Sequence, residues 1–214
     1  VRKRITQLCT EAGLNVMTIP SLEDLVAGRV SVSSLRRVEL DDLLGRDPVQ
    51  LDDSGLHQLL TGQVVMVTGA GGSIGSELCR QIARFAPAKL VLFEQSELAL
   101  YAMEQELPQH FSQLKIVPVI GDVKNAVWVS QVMAEHRPAV VFHAAAYKHV
   151  PLMENDNAWE AVRNNVLGTQ VVAAAAQAQG VGKFVMISTD KAVNPTNVMG
   201  ATKRLAEMAC QAMQ

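Results

Sequence analysis

Five short apolar runs, each followed by a stretch with helical periodicity, constrain this chain more than any other feature. VVMVTG (64–69), KLVLFE (89–94), KIVPVIGD (115–122), AVVFHAAA (139–146) and KFVMISTD (183–190) are continuous and rich in β-branched residues. Strands that do not alternate apolar with polar are buried on both faces. Helical patterns occupy 73–86, 96–107, 125–136, 156–179 and 199–213. The fourth of these, rich in alanine, stops at Gly180, and the third stops before Arg137-Pro138. Five βα repeats with short connections predict an α/β fold with a doubly wound parallel sheet.

The first 62 residues are less regular. ITQLCTEAG predicts a helix closed by Gly13, LNVMTIP a strand, SLEDLVAG a short helix and DDLLGRDPVQLD a connector. DSGLHQLLTG predicts a short helix leading into the first core strand. With 214 residues, 49% of them apolar, the chain is long enough for one full domain and a piece of another. A net charge of -2 gives no basic field for nucleic acid. No apolar stretch reaches the ~18 residues of a membrane span, and no signal peptide opens the chain. Cys9, Cys79 and Cys210 are odd in number and far apart, which suits neither a disulfide framework nor a zinc site. They read as small hydrophobes in a reducing compartment. The chain opens on Val1 although it holds nine methionines, as expected of a piece cut from a longer protein.

After the first strand comes Thr68-Gly69-Ala70-Gly71-Gly72-Ser73-Ile74-Gly75, with the spacing Gly69-x-x-Gly72-x-x-Gly75. Small residues at a tight strand-to-helix turn bring backbone N–H groups and a helix N-terminus against a pyrophosphate, and Gly75 lets the helix pack close to the sheet. Glu94 ends the second strand. A carboxylate there accepts hydrogen bonds from adenosine ribose hydroxyls and repels a 2′-phosphate. Gln95 and Ser96 bring no cation to offset it, so NAD is expected over NADP. Asp122, followed by Val123, is placed either for the adenine amino group or as a helix N-cap.

Ligands of such sheets bind at the carboxyl ends of the strands. The fourth strand ends in His143-Ala144-Ala145-Ala146-Tyr147-Lys148-His149. Ala144, Ala145 and Ala146 permit close approach of a cofactor. Lys148 and His149 are candidates for substrate phosphates, or are merely solvated. His143 and His149 lack a third partner, so no metal is expected. The fifth strand ends in Ser188-Thr189-Asp190-Lys191, and Met199 and Lys203 follow at i and i+4 on one helix face. A thioether cannot shuttle protons, so acid/base chemistry falls to Asp190 and Lys191.

TGAGGSIGSE, HAAAYKHVP, NNVLGT and ISTDKAVNPTNVMGATKR resemble the CapD-like polysaccharide-biosynthesis proteins, extended short-chain dehydrogenases that act as nucleotide-sugar 4,6-dehydratases. The resemblance covers about 63–214. It implies a Rossmann-type domain there, a linker and short helix over 36–62, and the tail of an upstream Rossmann-like domain over 1–35. Methionine at position 199, where the superfamily carries the tyrosine of Tyr-x-x-x-Lys, resembles the long membrane-anchored branch. The resemblance further implies a UDP-N-acetylglucosamine substrate, internally recycled NAD, a homo-oligomer, and a parent protein on the cytoplasmic face of the bacterial inner membrane. By position, Thr189, Asp190, Lys191 and Met199 match the family's catalytic residues, Lys203 its ribose lysine, and Asn165 a supporting position at the substrate site. Lys191 is the expected base, if burial and neighbours lower its pKa. Asp190 is the expected acid, if desolvation raises its pKa, and Thr189 polarises the C4 hydroxyl. Met199 packs against sugar or nicotinamide, or fills core. A 4-epimerase and a non-catalytic cofactor-binding module are the rival readings. The substrate lobe expected beyond Gln214 is absent from this chain, which is therefore expected to hold NAD but turn over little sugar.

Overall fold

A computed structural model describes residues 52–214, together with the backbone of Met17–Thr18 and Arg36–Arg37, which pair antiparallel. Cys9 and the other elements expected before residue 52 lie outside the described residues. Residues from Asp52 to Gln214 form one compact unit.

Five strands form its sheet: β1 (Val64–Thr68), β2 (Lys89–Glu94), β3 (Ile116–Ile120), β4 (Val140–His143) and β5 (Lys183–Met186). All are parallel, as the apolar runs predict, and the structure sets them in the order β3-β2-β1-β4-β5. Val65 at the centre pairs with Leu90 on one side and Val140 on the other. The chain passes from one half of the sheet to the other beside β1, and the cleft opens there.

Alternate residues of each strand serve different cores. Val65, Val67, Leu90 and Leu92 pack with Cys79 and Ile82 of α2 (Ser73–Ala83) and with Leu100, Met103 and Leu107 of α3 (Glu97–His110). Met66, Val91, Phe93 and Val141 face the other way. They pack with Val129, Val132 and Met133 of α4 (Ala126–His136) and with Val172, Ala175 and Ala176 further along the chain. This is why the runs are continuous: both faces are covered. Each such side chain contributes ~1.5–3 kcal/mol on burial, and a charge at Val67, which is fully buried, would break the sheet's centre.

Helix α1 (Asp53–Leu60) belongs to the same unit: Leu60 is buried in the first core, and Leu56 and Leu59 pack against it. Asp52 caps it by accepting from the Gly55 N–H at 3.1 Å. The strands are shorter than the apolar runs. Ala144–Ala146 and Ser188–Asp190 lie beyond the ladder, where the chain turns out over the cleft.

The expected helix 156–179 is not continuous. A 3-10 turn (Asn155–Asn157) and α6 (Ala158–Val162), which follow the short α5 (Val150–Met153), lead into a π-helical turn (Arg163–Leu167) and then α7 (Gly168–Ala178). The wider turn points Asn164 and Asn165 inward, where both are buried. Such turns occur mostly as single inserts in α-helices, often at functional sites. Helix α8 (Val198–Ala212) closes the described chain.

Candidate active site

The loop after β1 is built for close backbone approach. Gly69 has φ +67, and a Cβ there would sit 2.7 Å from the Ala145 Cα. A Cβ on Gly75 would overlap the Gly69 carbonyl. The Gly71 N–H donates to Glu94 Oε2 at 3.0 Å, and the Ser96 N–H donates to Oε1 at 2.9 Å. Glu94 is buried and ties two strand ends together. Asp122 accepts from the Lys124 N–H at 2.9 Å and pairs with its ammonium at 2.9 Å. It does not cap α4; Asn125 does, accepting from the Trp128 N–H at 3.1 Å.

Two clefts meet over the strand ends. One, of 240 Å³, is lined by Gly69, Gly71, Gly72, Glu94, Gln95, Ser96, Val123 and Ala144–Ala146. The other, of 570 Å³, is lined by Ser73, Ile74, Gly75, Lys148, His149, Thr189, Lys191, Met199 and Lys203. Gly72, Ala144, Ala146 and Tyr147 line both, so the clefts form one continuous groove. Thr68 lies beneath this groove, fully buried.

The catalytic candidates differ in setting. Lys203 is 5% exposed, and its ammonium donates to the Ile187 carbonyl at 2.6 Å. Burial pulls its pKa down to about 8, against the opposing charge of Glu207. Met199 is buried with Met153 and Ala161, yet it also forms part of the cleft wall. Lys191 is half exposed and lies 3.5 Å from Asp190. The expectation for Asp190 needs correction. Its side chain is 88% exposed, and the Thr189 hydroxyl, then Lys191, hold its carboxyl below the usual range. Desolvation acts to raise it but is outweighed by these contacts.

Two buried side chains hold the groove from behind. His143 has both ring nitrogens engaged, with Thr68 Oγ1 at 2.7 Å and Thr169 Oγ1 at 2.9 Å. Burial, then the charge of Lys203, pushes its pKa down to about 3, so it is neutral. Its nitrogens are turned away from the exposed His149, and the two histidines share no site. Asn165 is fully buried. Its Oδ1 accepts from the Tyr147 N–H at 2.8 Å, and its Nδ2 donates to the Tyr147 carbonyl at 3.0 Å and to Thr202 Oγ1 at 3.0 Å. It shapes the wall and presents no face to a substrate. Lys148 reaches the Ser73 hydroxyl at 2.6 Å, which places it over the glycine loop.

Sequence reasoning passed over two residues. Glu154 accepts from the Val198 N–H at 2.9 Å, across 44 residues of chain, and so supports the start of α8. Tyr147 lay in plain view beside Lys148 but carried no local signal of its place at the junction.

The polysaccharide biosynthesis protein family matches residues 65–214. The chain belongs to this family. The capsular polysaccharide biosynthesis protein CapD of Staphylococcus aureus is 51% identical over 98% of this chain and 35% of its own length. A UDP-N-acetylglucosamine 4,6-dehydratase (inverting) of Campylobacter jejuni is 34% identical over 68% of this chain and 42% of its own. The chain thus spans well under half the length of these family relatives. The crystal structure of a UDP-glucose 4-epimerase from Stenotrophomonas maltophila, with bound NAD and a formylated UDP-arabinopyranose, shares the fold, with a TM-score of 0.64 at 20% identity. The alignment covers 71% of this chain and 48% of that one.

Proposed function

We propose that residues 63–214 are the dinucleotide-binding domain of a nucleotide-sugar 4,6-dehydratase that recycles NAD and acts on UDP-N-acetylglucosamine. The observation that carries this reading is the placement of Met199 in the cleft wall with Thr189, Lys191 and Lys203 around the same space. A dehydratase needs a base for the C5 proton and an acid for the C6 hydroxyl, and a thioether serves as neither.

The glycine cradle fits a dinucleotide, because a Cβ at Gly69 or Gly75 would collide with backbone. The N-terminus of α2 would hold a pyrophosphate, Glu94 would take ribose hydroxyls, and Lys203 would donate to the second ribose. When bound, the nicotinamide supplies a hydride acceptor that gives the hydride back within one turnover. Oxidation at C4 acidifies the C5 proton, and Lys191 takes it. Asp190 protonates the C6 hydroxyl, which leaves as water; C6 then takes up the returned hydride and Lys191 gives a proton back to C5. Asp190 lies open in this chain, so its proton has to be held by desolvation under the bound sugar. The membrane anchor and self-association implied by the family resemblance belong to the intact protein. No helix among the described residues is long and apolar enough to cross a membrane.

Intact protein incubated with UDP-N-acetylglucosamine and a trace of NAD⁺ should yield the 4-keto-6-deoxy sugar without net NADH. Stoichiometric NADH, or a C4 epimer as product, would overturn the reading. Lys191→Ala should abolish turnover and leave NAD affinity unchanged.

A further inference from the structure

The cleft of 570 Å³ carries four hydroxyl side chains: Ser73, Ser188, Thr189 and Tyr147. Three are committed within the protein. Ser73 holds the Lys148 ammonium, Ser188 donates to Glu207, and Thr189 donates to Asp190. The Tyr147 phenol alone has no hydrogen-bond partner among the described residues, and Tyr147 is a lining residue of both clefts. The chain's only other tyrosine, Tyr101, is exposed on α3.

The backbone under Tyr147 is held with unusual care. Asn165, fully buried, bonds both its N–H and its carbonyl, much as a neighbouring strand would. The same amide bonds Thr202, whose hydroxyl in turn donates to the Met199 carbonyl at 2.8 Å. Tyr147 is therefore fixed to the helical turn that carries Met199 and Lys203. Its ring packs against the cluster of Met153, Ala161 and Met199. The Lys124 ammonium, paired with Asp122, lies 6.0 Å from the ring centroid and so also borders the ring. A buried amide that places one backbone, beneath a hydroxyl that no group among the described residues bonds, suits a ligand contact.

We propose that Tyr147 is a catalytic residue of this site, donating a hydrogen bond to the sugar oxygen at the carbon that is oxidised. This rests on the nucleotide-sugar reading above. An oxygen that gains negative charge as the C–O bond acquires double-bond character is stabilised by a donor fixed in advance, and losing such a donor costs ~10²–10³ in rate.

The test compares wild-type intact protein with Tyr147→Phe. Wild-type product decides the dehydratase reading by itself. The ratio of the two turnover rates decides the role of Tyr147, whichever product forms. Tyr147→Phe should lower kcat about 100-fold and leave the NAD dissociation constant within about threefold. It should weaken binding of UDP-N-acetylglucosamine but not of its 4-deoxy analogue. Because the phenol bonds no group among the described residues, Tm should stay within about 2 °C. Wild-type kcat, a loss confined to NAD affinity, equal weakening of both sugars, or a large fall in Tm would each overturn the proposal.

Discussion

Gly200 decides how closely α8 approaches the Asp190–Ala192 turn. A Cβ at Gly200 would fall inside the van der Waals envelope of the Lys191 carbonyl oxygen and 3.0 Å from its carbonyl carbon. Carbon atoms in contact settle at ~3.5–4.0 Å, so Gly200→Ala has to open this gap by about 0.5–1 Å. Both sides of the gap are backbone, so no side chain can swing away. Alanine gains about 1 kcal/mol of helix propensity, which offsets part of the ~1–3 kcal/mol typical of overpacking. The variant should therefore fold with a Tm only a few degrees lower. The catalytic cost is larger, because a shift of about 1 Å between groups that act together can lower a rate ~10²-fold. The displaced group is Lys191, whereas the glycine loop that would hold the dinucleotide lies elsewhere. Steady-state turnover of UDP-N-acetylglucosamine, NAD titration and thermal melting on one preparation separate these effects. The expected pattern is a kcat lower by about 100-fold, an unchanged NAD affinity and a small Tm shift. Wild-type turnover from Gly200→Ala would refute the argument that this close approach sets the position of Lys191.

Lys203 releases its proton near about 8 when folded, against an ordinary 10.5. Between these values the unfolded chain binds more protons, so its contribution makes stability rise with pH across that window, by roughly 3 kcal/mol. Lys203→Met should flatten the rise, raise Tm at pH 7 and weaken NAD binding; a lower Tm with NAD affinity intact would contradict this account. His143 stays neutral down to about 3, against an ordinary 6.5. Its contribution is present above pH 6.5 and lost as pH falls from 6.5 toward 3, by roughly 4–5 kcal/mol. Acid denaturation of His143→Gln should therefore show a shallower loss than wild type over that range, and parallel curves would show that His143 does not drive it. NAD should bind at least about tenfold more tightly than NADP because Glu94 repels a 2′-phosphate; equal affinities by calorimetry would remove that role from Glu94.

The parallel sheet was legible because burial on both faces leaves a plain mark, an apolar run in which neighbouring residues such as Met66 and Val67 feed opposite cores. The glycine loop was legible because its constraint is local. Strand ends were less so: Ala144–Ala146 remain apolar beyond the ladder because they line a groove, and composition does not separate the two cases. Long-range pairings left no trace. Nothing near Glu154 announces that it meets Val198, and nothing near Asn165 announces that its amide clamps Tyr147. Asp190 shows the converse. Its place at a strand end suggested shelter, but shelter depends on what packs above it, and Asp190 is open to water.

The π-helical turn at Arg163–Leu167 makes the site depend on a residue count as well as on residue identities. One residue beyond an α-turn is accommodated there, and each helical residue advances the chain by about 100° around the axis. Deleting Val166 or Leu167 would let an unbroken α-helix form, with a gain in regularity. Asn165 and the inward face of α7 would then fall out of step with each other by about one residue's rotation. Tyr147 would lose its clamp although every side chain named in the site was still present. Length, not chemistry, is the quantity most tightly held in this segment.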